Sequence, residues 1–544
     1  MKRIFLFFII SLFIVDLSAT EAKEAQGIAY YKAGFPQVAK PLLLNEFATD
    51  SSTRSETCFY LGNIYFSENK IDSSEIYFKK GLSANQEDVL NTIGLAMLKI
   101  KNNQKIADEE IQNVLKISKN KKNPDYFIAA ANAYLVNGQI DQALVYKEKA
   151  KSIKLKYAPL SVLAGDIELA NKNVGNACSN YEVAILYDAN CEEAYIKYAR
   201  AYKNVNTPLA IEMLNKLKQK EPNFLLVDKE LADIYYSTND FDKAAKLYES
   251  YLQSGNSNVA DLTKYAMTLF LNKNYTKSLE IANLGLIKAP RNPGFNRLAL
   301  YNNVALEKYD EALKAADLFF HKSDNPDISY YDYTYYGQAL RATKQYDLAI
   351  DQFKNALKLD STQIGFWKDI SDMYNEKGDY QNAISAYDKY VNSLSVDKRN
   401  SDVIYDLGKL YYTLGNSKTD SADVKKKALI KADSVFAKVI SLEPTEYRGY
   451  VWRARTNFSL DPETLQGLAK PYYDQTLAIV EAKADARYNP VILECSRFLG
   501  YYYFLKKDYV QSKVYWNKIL TIDPTNDMAI KAIEGIDKSL KGKK

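Results

Sequence analysis

Histidine is almost missing from this chain of 544 residues, in which His321 is the only one. A single histidine excludes metal centres built from clustered histidines, and its position near the end of a predicted helix is typical of a surface residue. Glycine-rich loops of the Walker or dinucleotide-binding type, which hold phosphates, are also missing. We therefore predict a protein that is not an enzyme and that holds no metal and no cofactor.

Cysteine is scarce, with four residues at Cys58, Cys178, Cys191 and Cys495. An even number permits disulfides in an exported protein. The nearest pair, Cys178 and Cys191, is separated by about 20 Å if the intervening residues are helical, which is too far for a bridge unless the turn folds back. We expect mostly buried thiols. Whether any of them pair stays open.

Long apolar runs are missing except at the start, where Ile4 to Val15 follow Lys2 and Arg3. This run is shorter than the ~20 residues that cross a bilayer as a helix. A positive start, a short apolar core and small residues up to Ala19 are typical of a secretory signal. We predict a signal peptide over residues 1–19, cleaved near Ala19, and an exported periplasmic or envelope-associated protein. An uncleaved anchor is the competing interpretation. No transmembrane segment is expected in the mature chain.

A strong excess of one charge is also missing, since 72 basic and 67 acidic residues give a formal net charge of +5. Spread over this length, such a small excess argues against a nucleic-acid partner. Apolar residues make up 47% of the chain, and no proline-rich or serine-rich linker divides it. The composition therefore favours one continuous array over the three or four domains that the length suggests.

What the chain does contain is a pattern of small and large residues with a period of about 34. Three copies are Leu61, Gly62, Tyr65, Ile71, Ser74, Phe78, Gly81; Leu231, Ala232, Tyr235, Phe241, Ala244, Tyr248, Tyr251; and Ile370, Ser371, Tyr374, Tyr380, Ala383, Tyr387, Tyr390. The pattern resembles the tetratricopeptide repeat (TPR). The resemblance implies an all-α fold, a right-handed α-α superhelix of about 14 helix-turn-helix repeats over residues 20–525.

Small residues mark the places where two helices must approach closely. In the predicted first helices they are Gly27, Gly62, Gly94, Ala131, Gly165, Ala199, Ala232, Ala266, Ala299, Gly337, Ser371, Gly408, Ala454 and Gly500. Most second helices carry theirs about twelve residues later, at Ala39, Ser74, Ala107, Ala143, Ala177, Ala210, Ala244, Ser278, Ala312, Ala349, Ala383, Ala432, Ala469 and Ser512. Glycine costs up to about 1 kcal/mol against alanine inside a helix, so close packing must offset this cost. We expect each repeat to contact mainly its neighbours.

Two repeats near the C-terminus depart from the period. The repeat around residues 415–431 gains about a dozen residues in its turn, and the repeat over 455–495 is also enlarged, mostly around Ala482 to Pro490. Residues 526–544 are predicted to form a C-terminal capping helix, Asp527 to Leu540, followed by a basic tail.

Function is expected from the surface, because the family resemblance implies a concave groove lined by the first helix of each repeat. Early repeats give this groove apolar residues and acidic rims, with Asp125 and Asp166 among them. Later repeats supply the predicted partner-binding residues Arg341, Lys368, Tyr405, Lys409, Tyr412, Arg455, Arg497 and Tyr501. Arginine beside tyrosine is typical of interface hot spots, and guanidinium pairs with carboxylate. The predicted partner is a protein or peptide of acidic character.

Other interpretations stay open. The tyrosines can pack the superhelix and the arginines can pair with neighbouring acids. Lys368 is followed four residues later by Asp372, whereas the carboxylate-clamp members of the family have asparagine there, so that clamp is not indicated. The favoured function is an exported, non-catalytic interaction scaffold. The alternative is a glycan-binding module of the cell envelope in which tyrosines and Trp452 stack on sugar rings.

Overall fold

The computed structural model describes residues 26–49, 54–117, 119–252, 255 and 257–541. The predicted signal peptide and cleavage site lie outside these residues, as do the last three residues of the basic tail. The chain divides into two compact units, unit 1 up to Pro290 and unit 2 from Arg291 onward.

Unit 1 consists of eight consecutive helix pairs in its described residues. The helices are α1 (Gln26–Lys32), α2 (Pro36–Thr49), α3 (Arg54–Ser67), α4 (Ile71–Ala84), α5 (Val89–Met97), α6 (Gln104–Leu115), α7 (Pro124–Leu135), α8 (Ile140–Ile153), α9 (Ala158–Ala170), α10 (Val174–Tyr187), α11 (Glu192–Tyr202), α12 (Thr207–Lys220), α13 (Leu226–Ser237), α14 (Phe241–Leu252), α15 (Val259–Leu271) and α16 (Tyr275–Lys288).

Unit 2 adds six pairs and a last single helix. Its helices are α17 (Pro293–Ala305), α18 (Tyr309–Lys322), α19 (Tyr330–Ala342), α20 (Tyr346–Leu359), α21 (Gly365–Lys377), α22 (Tyr380–Ser393), α23 (Ser401–Gly415), α24 (Ala422–Leu442), α25 (Tyr447–Leu460), α26 (Lys470–Ala482), α27 (Asn489–Leu505), α28 (Tyr509–Ile522) and α29 (Asp527–Lys541). The described residues contain no strand. The predicted all-α array of about 14 helix pairs is confirmed.

The glycines of the first helices make room for large side chains of the second helices. A Cβ atom on Gly62 would lie 2.3 Å from Cε1 of Phe78, and one on Gly94 would lie 2.4 Å from the same atom. Phe78 is fully buried between them. Gly165 has the same relation to Tyr181, at 2.4 Å. Glycine is therefore required where a ring of the partner helix occupies the space of a Cβ atom.

Serines at the small positions donate hydrogen bonds between the paired helices. The hydroxyl of Ser74 donates to the carbonyl of Gly62 at 2.7 Å, and Ser512 donates to Gly500 at 2.7 Å. Ser371 lies on a first helix, and its hydroxyl donates to the carbonyl of Ala383 on the second helix at 2.7 Å. All three serines are buried. Because a buried hydroxyl needs a partner, these bonds explain how serine replaces alanine at a close contact.

The two enlarged repeats differ in character. In the first, only residues 416–421 connect α23 to α24, and residues 422–431 form extra turns at the start of α24 rather than a longer turn. In the second, a segment of residues 461–469 connects α25 to α26. The helix α27 then begins at Asn489, eleven residues before Gly500, which lengthens its N-terminal end.

The first repeat of unit 1 contacts distant repeats of the same unit. Arg200 of α11 donates from Nη1 to the carbonyl oxygen of Gly34 at 2.9 Å, and its guanidinium lies over the ring of Phe35 at 4.8 Å. The ring of Phe224, just before α13, contacts Tyr30 and Phe35 at centroid distances of 5.8 and 6.3 Å. The expectation that each repeat contacts mainly its neighbours does not include these added contacts, which join the first repeat to two repeats farther along the unit. We call these contacts the closure of unit 1.

Candidate functional site

A cavity of ≈ 560 Å³ lies in unit 2 among α23, α25, α26 and α27. It is lined by Tyr412, Arg455, Phe458, Pro462, Tyr473, Glu494, Arg497, Phe498 and Tyr501, and we call it cavity 1. Four of the eight predicted partner-binding residues therefore meet at one place, namely Tyr412, Arg455, Arg497 and Tyr501. Their roles in binding stay a prediction.

Arg455, which is half-buried, is paired with a carboxylate. Its Nε and Nη2 donate to the two oxygens of Glu494 at 2.8 and 2.6 Å. The hydroxyl of Tyr473 donates to the same carboxylate at 3.2 Å. These hydrogen bonds from Arg455 to Glu494 raise the pKa of the guanidinium, and burial raises the pKa of Tyr473. Because Glu494 neutralises its charge, Arg455 is not free to pair with a ligand carboxylate, and it serves as a fixed wall of cavity 1.

Arg497 differs from Arg455, although both line cavity 1. It is exposed, and it makes no hydrogen bond or ion pair with any residue that the structure describes. Phe458 and Tyr501 beside it are 41% and 44% exposed. A free guanidinium offers five donors in a planar fork. Cavity 1 therefore presents an unpaired cation next to open aromatic surface.

Tyr405 and Tyr412 lie next to Trp452, at the α23 side of cavity 1, and Lys409 lies over the ring of Tyr405. Tyr405 and Tyr412 meet the Trp452 ring edge-on, at 5.9 and 5.1 Å. The guanidinium of Arg455 lies over the Trp452 ring at 4.9 Å. Lys409 pairs with Asp406 at 2.7 Å. Trp452 is thus packed among protein groups, and no observation favours its use as a platform for sugar rings.

Arg341 and Lys368 do not line cavity 1. Arg341, on α19, pairs with Glu376, and Lys368, on α21, pairs with Asp372 at 3.0 Å. The pair of Lys368 lies within one helix, whereas pairing like that of Arg341 recurs between first helices of neighbouring repeats. Examples are Asp166 with Lys197, Arg200 with Glu230, and Asp233 with Lys264 in unit 1, and Arg341 with Glu376 and Arg455 with Glu494 in unit 2. Of the five charged residues predicted to bind a partner, Arg341 and Arg455 are therefore neutralised by the next repeat, and Lys368 and Lys409 by acids of their own helices.

Several lining residues of cavity 1 were not predicted from the sequence. Glu494 belongs to the lengthened start of α27, and Pro462 to the segment between α25 and α26. Tyr473 comes from a second helix, which the family pattern does not assign to the groove. One signal was available for Glu494, because it precedes Arg497 by three residues and so shares its helix face.

Other kinds of site find little support in the described part of the chain. No group of three or more histidine, cysteine or carboxylate side chains there is arranged to hold a metal ion. All four cysteines are unpaired, and burial raises the pKa of the Cys58 and Cys178 thiols to about 11. Among the same residues, no helix has the length and apolar character needed to span a membrane.

Comparison with known families agrees with the helix pairs. Models described as tetratricopeptide repeat match residues 55–88 and residues 336–402. The chain belongs to the tetratricopeptide repeat family. Proteins with these repeats generally mediate protein–protein interactions and are typically non-catalytic scaffolds.

Two relatives are similar over long stretches. The chain is 23% identical over 449 residues to a TPR repeat-containing protein of Methanocaldococcus jannaschii, an alignment that covers 77% of this chain and 73% of that protein. It is 34% identical to the crystallised C-terminal part of a TPR repeat-containing protein from Cytophaga hutchinsonii. That alignment covers 50% of this chain and 99% of the other, with a TM-score of 0.40.

Proposed function

We propose that this chain is an exported interaction scaffold that binds an acidic segment of a partner protein at cavity 1. The observation that carries the proposal is the unpaired guanidinium of Arg497 beside the exposed rings of Phe458 and Tyr501. The neighbouring cations Arg455 and Lys409 already have acidic partners. A carboxylate on the partner supplies the charge that Arg497 lacks.

The chemistry of cavity 1 matches the residue types that dominate protein interfaces. Arginine pairs with a carboxylate through two parallel hydrogen bonds, and aromatic rings add rigid apolar area at little entropic cost. Because Arg455, Glu494 and Tyr473 are fixed by mutual hydrogen bonds, the wall behind Arg497 is already organised before binding. Such pre-organisation lowers the cost of association.

Site-specific cross-linking tests the binding proposal. A photoreactive p-benzoylphenylalanine replaces Phe504, which is 37% exposed and lies one turn after Tyr501 on α27. In the native cell, we expect a cross-link to a protein, lost in Arg497→Gln and retained in Asp125→Asn of unit 1. If the cross-link forms with the same yield in Arg497→Gln, the proposed site is contradicted.

Export rests on the composition of residues 1–19 and has its own test. N-terminal sequencing of the chain recovered from cells is expected to start close to residue 20. A chain that still begins at Met1 and sediments with the membrane would show an anchor and contradict cleavage.

A further inference from the structure

A second cavity of ≈ 480 Å³ adjoins cavity 1 in unit 2, among α27, α28 and α29. It is lined by Pro490, Leu493, Glu494, Arg497, Ile519, Asn526, Asp527 and Met528, and we call it cavity 2. Met528 is 54% exposed, whereas Ile519 is buried at the floor. The accessible apolar surface of cavity 2 is contributed mainly by Pro490, Leu493 and Met528.

The two cavities share Glu494 and Arg497. Pro490, Leu493, Arg497 and Tyr501 follow one another at helical spacing along one face of α27. Leu493, Arg497 and Tyr501 are each four residues apart, which corresponds to about 6 Å per step along the helix. Arg497 therefore lies midway between Leu493 of cavity 2 and Tyr501 of cavity 1, with each of these side chains about 6 Å away along the helix.

The spacing along α27 matches an extended peptide. In such a peptide, side chains two residues apart point to the same side and are about 6.6 Å apart. We propose that the ligand of this site is an extended segment with one acidic residue and an apolar residue two positions before and two positions after it. The inference rests on the proposed function, and it specifies the sequence that the partner must carry.

Charge places the acidic residue at the centre. Asp527 lines cavity 2 and pairs with Lys531 at 2.6 Å. Because the charge of Lys531 is already neutralised, it is not available to bind a second acidic residue of the ligand. Asn526 is also engaged, since its amide donates to Asp523 at 3.0 Å and its oxygen accepts from the backbone of Ala529 at 3.1 Å. Glu494 is balanced by Arg455. Only the position opposite Arg497 favours a carboxylate, and the flanking positions favour apolar side chains.

Short synthetic peptides test this inference with the purified chain. The probe is Gly-Ser-Leu-Ser-Asp-Ser-Leu-Ser-Gly with blocked ends and a neutral fluorescent label, and binding is read by anisotropy. We expect about a tenfold loss of affinity when the central Asp becomes Asn, and about a tenfold loss when both Leu become Ser. Moving both Leu next to the Asp turns them to the other face and should weaken binding similarly.

Variants of the protein locate the effects. Arg497→Gln should remove the preference for Asp over Asn, and Met528→Gln should reduce the benefit of the two Leu residues. Arg291→Gln and Leu442→Gln are matched controls, because Arg291 pairs only with exposed Asp324 and Leu442 is 52% exposed elsewhere in unit 2. Circular dichroism must show unchanged helix content in all four variants.

The outcomes separate the inference from the proposed function. If the Asp matters and the Leu residues do not, the ligand pattern is wrong and the acidic site stands. Stronger binding of a peptide with Leu four positions from the Asp shows a helical ligand and overturns the extended one. Absence of binding by any of these peptides overturns the pattern, while cross-linking at position 504 still decides the site. If binding is unchanged both when the Asp of the peptide becomes Asn and when Arg497 becomes Gln, the ligand pattern and the proposed acidic site are both contradicted.

Discussion

At the scale of single residues, the fit between glycine and aromatic ring controls stability. Replacing Gly62 by Ala places a methyl group 2.3 Å from the Phe78 ring, which is also confined by Gly94. We expect Gly62→Ala to reduce the free energy of unfolding by about 1–3 kcal/mol because the ring has no space to move. Thermal and urea denaturation followed by circular dichroism measure this change.

The matched control for Gly62→Ala is Gly535→Ala in α29. A Cβ atom on Gly535 meets nothing within 4 Å. Since alanine is the better helix former by about 1 kcal/mol, this variant should be neutral or more stable. Equal destabilisation by both substitutions would show that the space around Phe78 is not the cause.

Arg455 and Arg497 are expected to have separable roles, although the sequence makes them look alike. Arg455→Ala leaves the partly buried Glu494 without its bidentate partner. We expect a loss of about 1–3 kcal/mol of stability from this change. Arg497→Ala should leave the melting temperature unchanged and weaken only ligand binding. Calorimetry of both variants checks this prediction. A larger loss of stability in Arg497→Ala than in Arg455→Ala would contradict it.

The sequence assigned both arginines to the groove and left open that they pair with acids, but it did not predict which arginine is paired or with which residue. The partner of Arg455 lies 39 residues away, on the added start of α27, outside the repeating pattern. The repeat pattern of the sequence assigns a residue to a helix face, because the face depends only on the spacing of nearby residues. The pattern does not predict contacts made by residues, such as Glu494, that lie in added segments outside the repeat. The glycine and serine positions were predictable because their contacts recur in every repeat.

At the scale of elements, the segment 461–469 is ordered by one carboxylate. Asp461 is buried and accepts backbone N–H bonds from Leu465, Gln466 and Gly467 at 2.9, 3.0 and 2.7 Å. We expect Asp461→Ala to expose this segment to proteolysis and to weaken binding at cavity 1, because the segment carries Pro462. Each backbone donor left unsatisfied costs about 1–3 kcal/mol.

Limited proteolysis with an enzyme that cuts after glutamate reports on Asp461→Ala at Glu463. The variant should be cut there faster than the unchanged chain, while cutting elsewhere is unaffected. Ser421→Ala is a useful control, since it removes the cap of α24 in the other enlarged repeat. Resistance of Asp461→Ala to cleavage would show that packing alone orders the segment.

The enlarged repeats show what the period predicts for whole elements. A gap in the spacing indicates that residues are added, and α24, with 21 residues, and α27, with 17, are the longest of the described helices. The spacing does not distinguish a loop from added helical turns. In residues 422–431, helix follows from good helix formers such as the lysines and alanines there, together with the Ser421 cap.

At the scale of the whole molecule, unit 1 is not a simple linear stack. The closure joins Gly34 to Arg200 across 166 residues, and a contact of this range has no periodic signature in the sequence. Stability in an open array is nearly a sum over repeats and their neighbours. Closure adds a coupling between the first repeat and the repeats that contain α11 and α13, so these elements should lose structure together.

We expect Arg200→Ala to release the first repeat of unit 1. The variant loses the bond to the Gly34 carbonyl, the contact with the Phe35 ring and both bonds to Glu230, at 3.1 and 2.7 Å. The rings of Phe35 and Phe224, now 5% and 9% exposed, should then reach water. Hydrogen exchange followed by mass spectrometry should show faster exchange in α1 and α2 and around residue 224, while α5 to α8 stay protected.

Arg487→Ala is the control, because Arg487 is 85% exposed and pairs with its near neighbour Asp485. Faster exchange confined to α11 would mean that the closure does not couple the two ends of unit 1, and that its repeats behave as an open array.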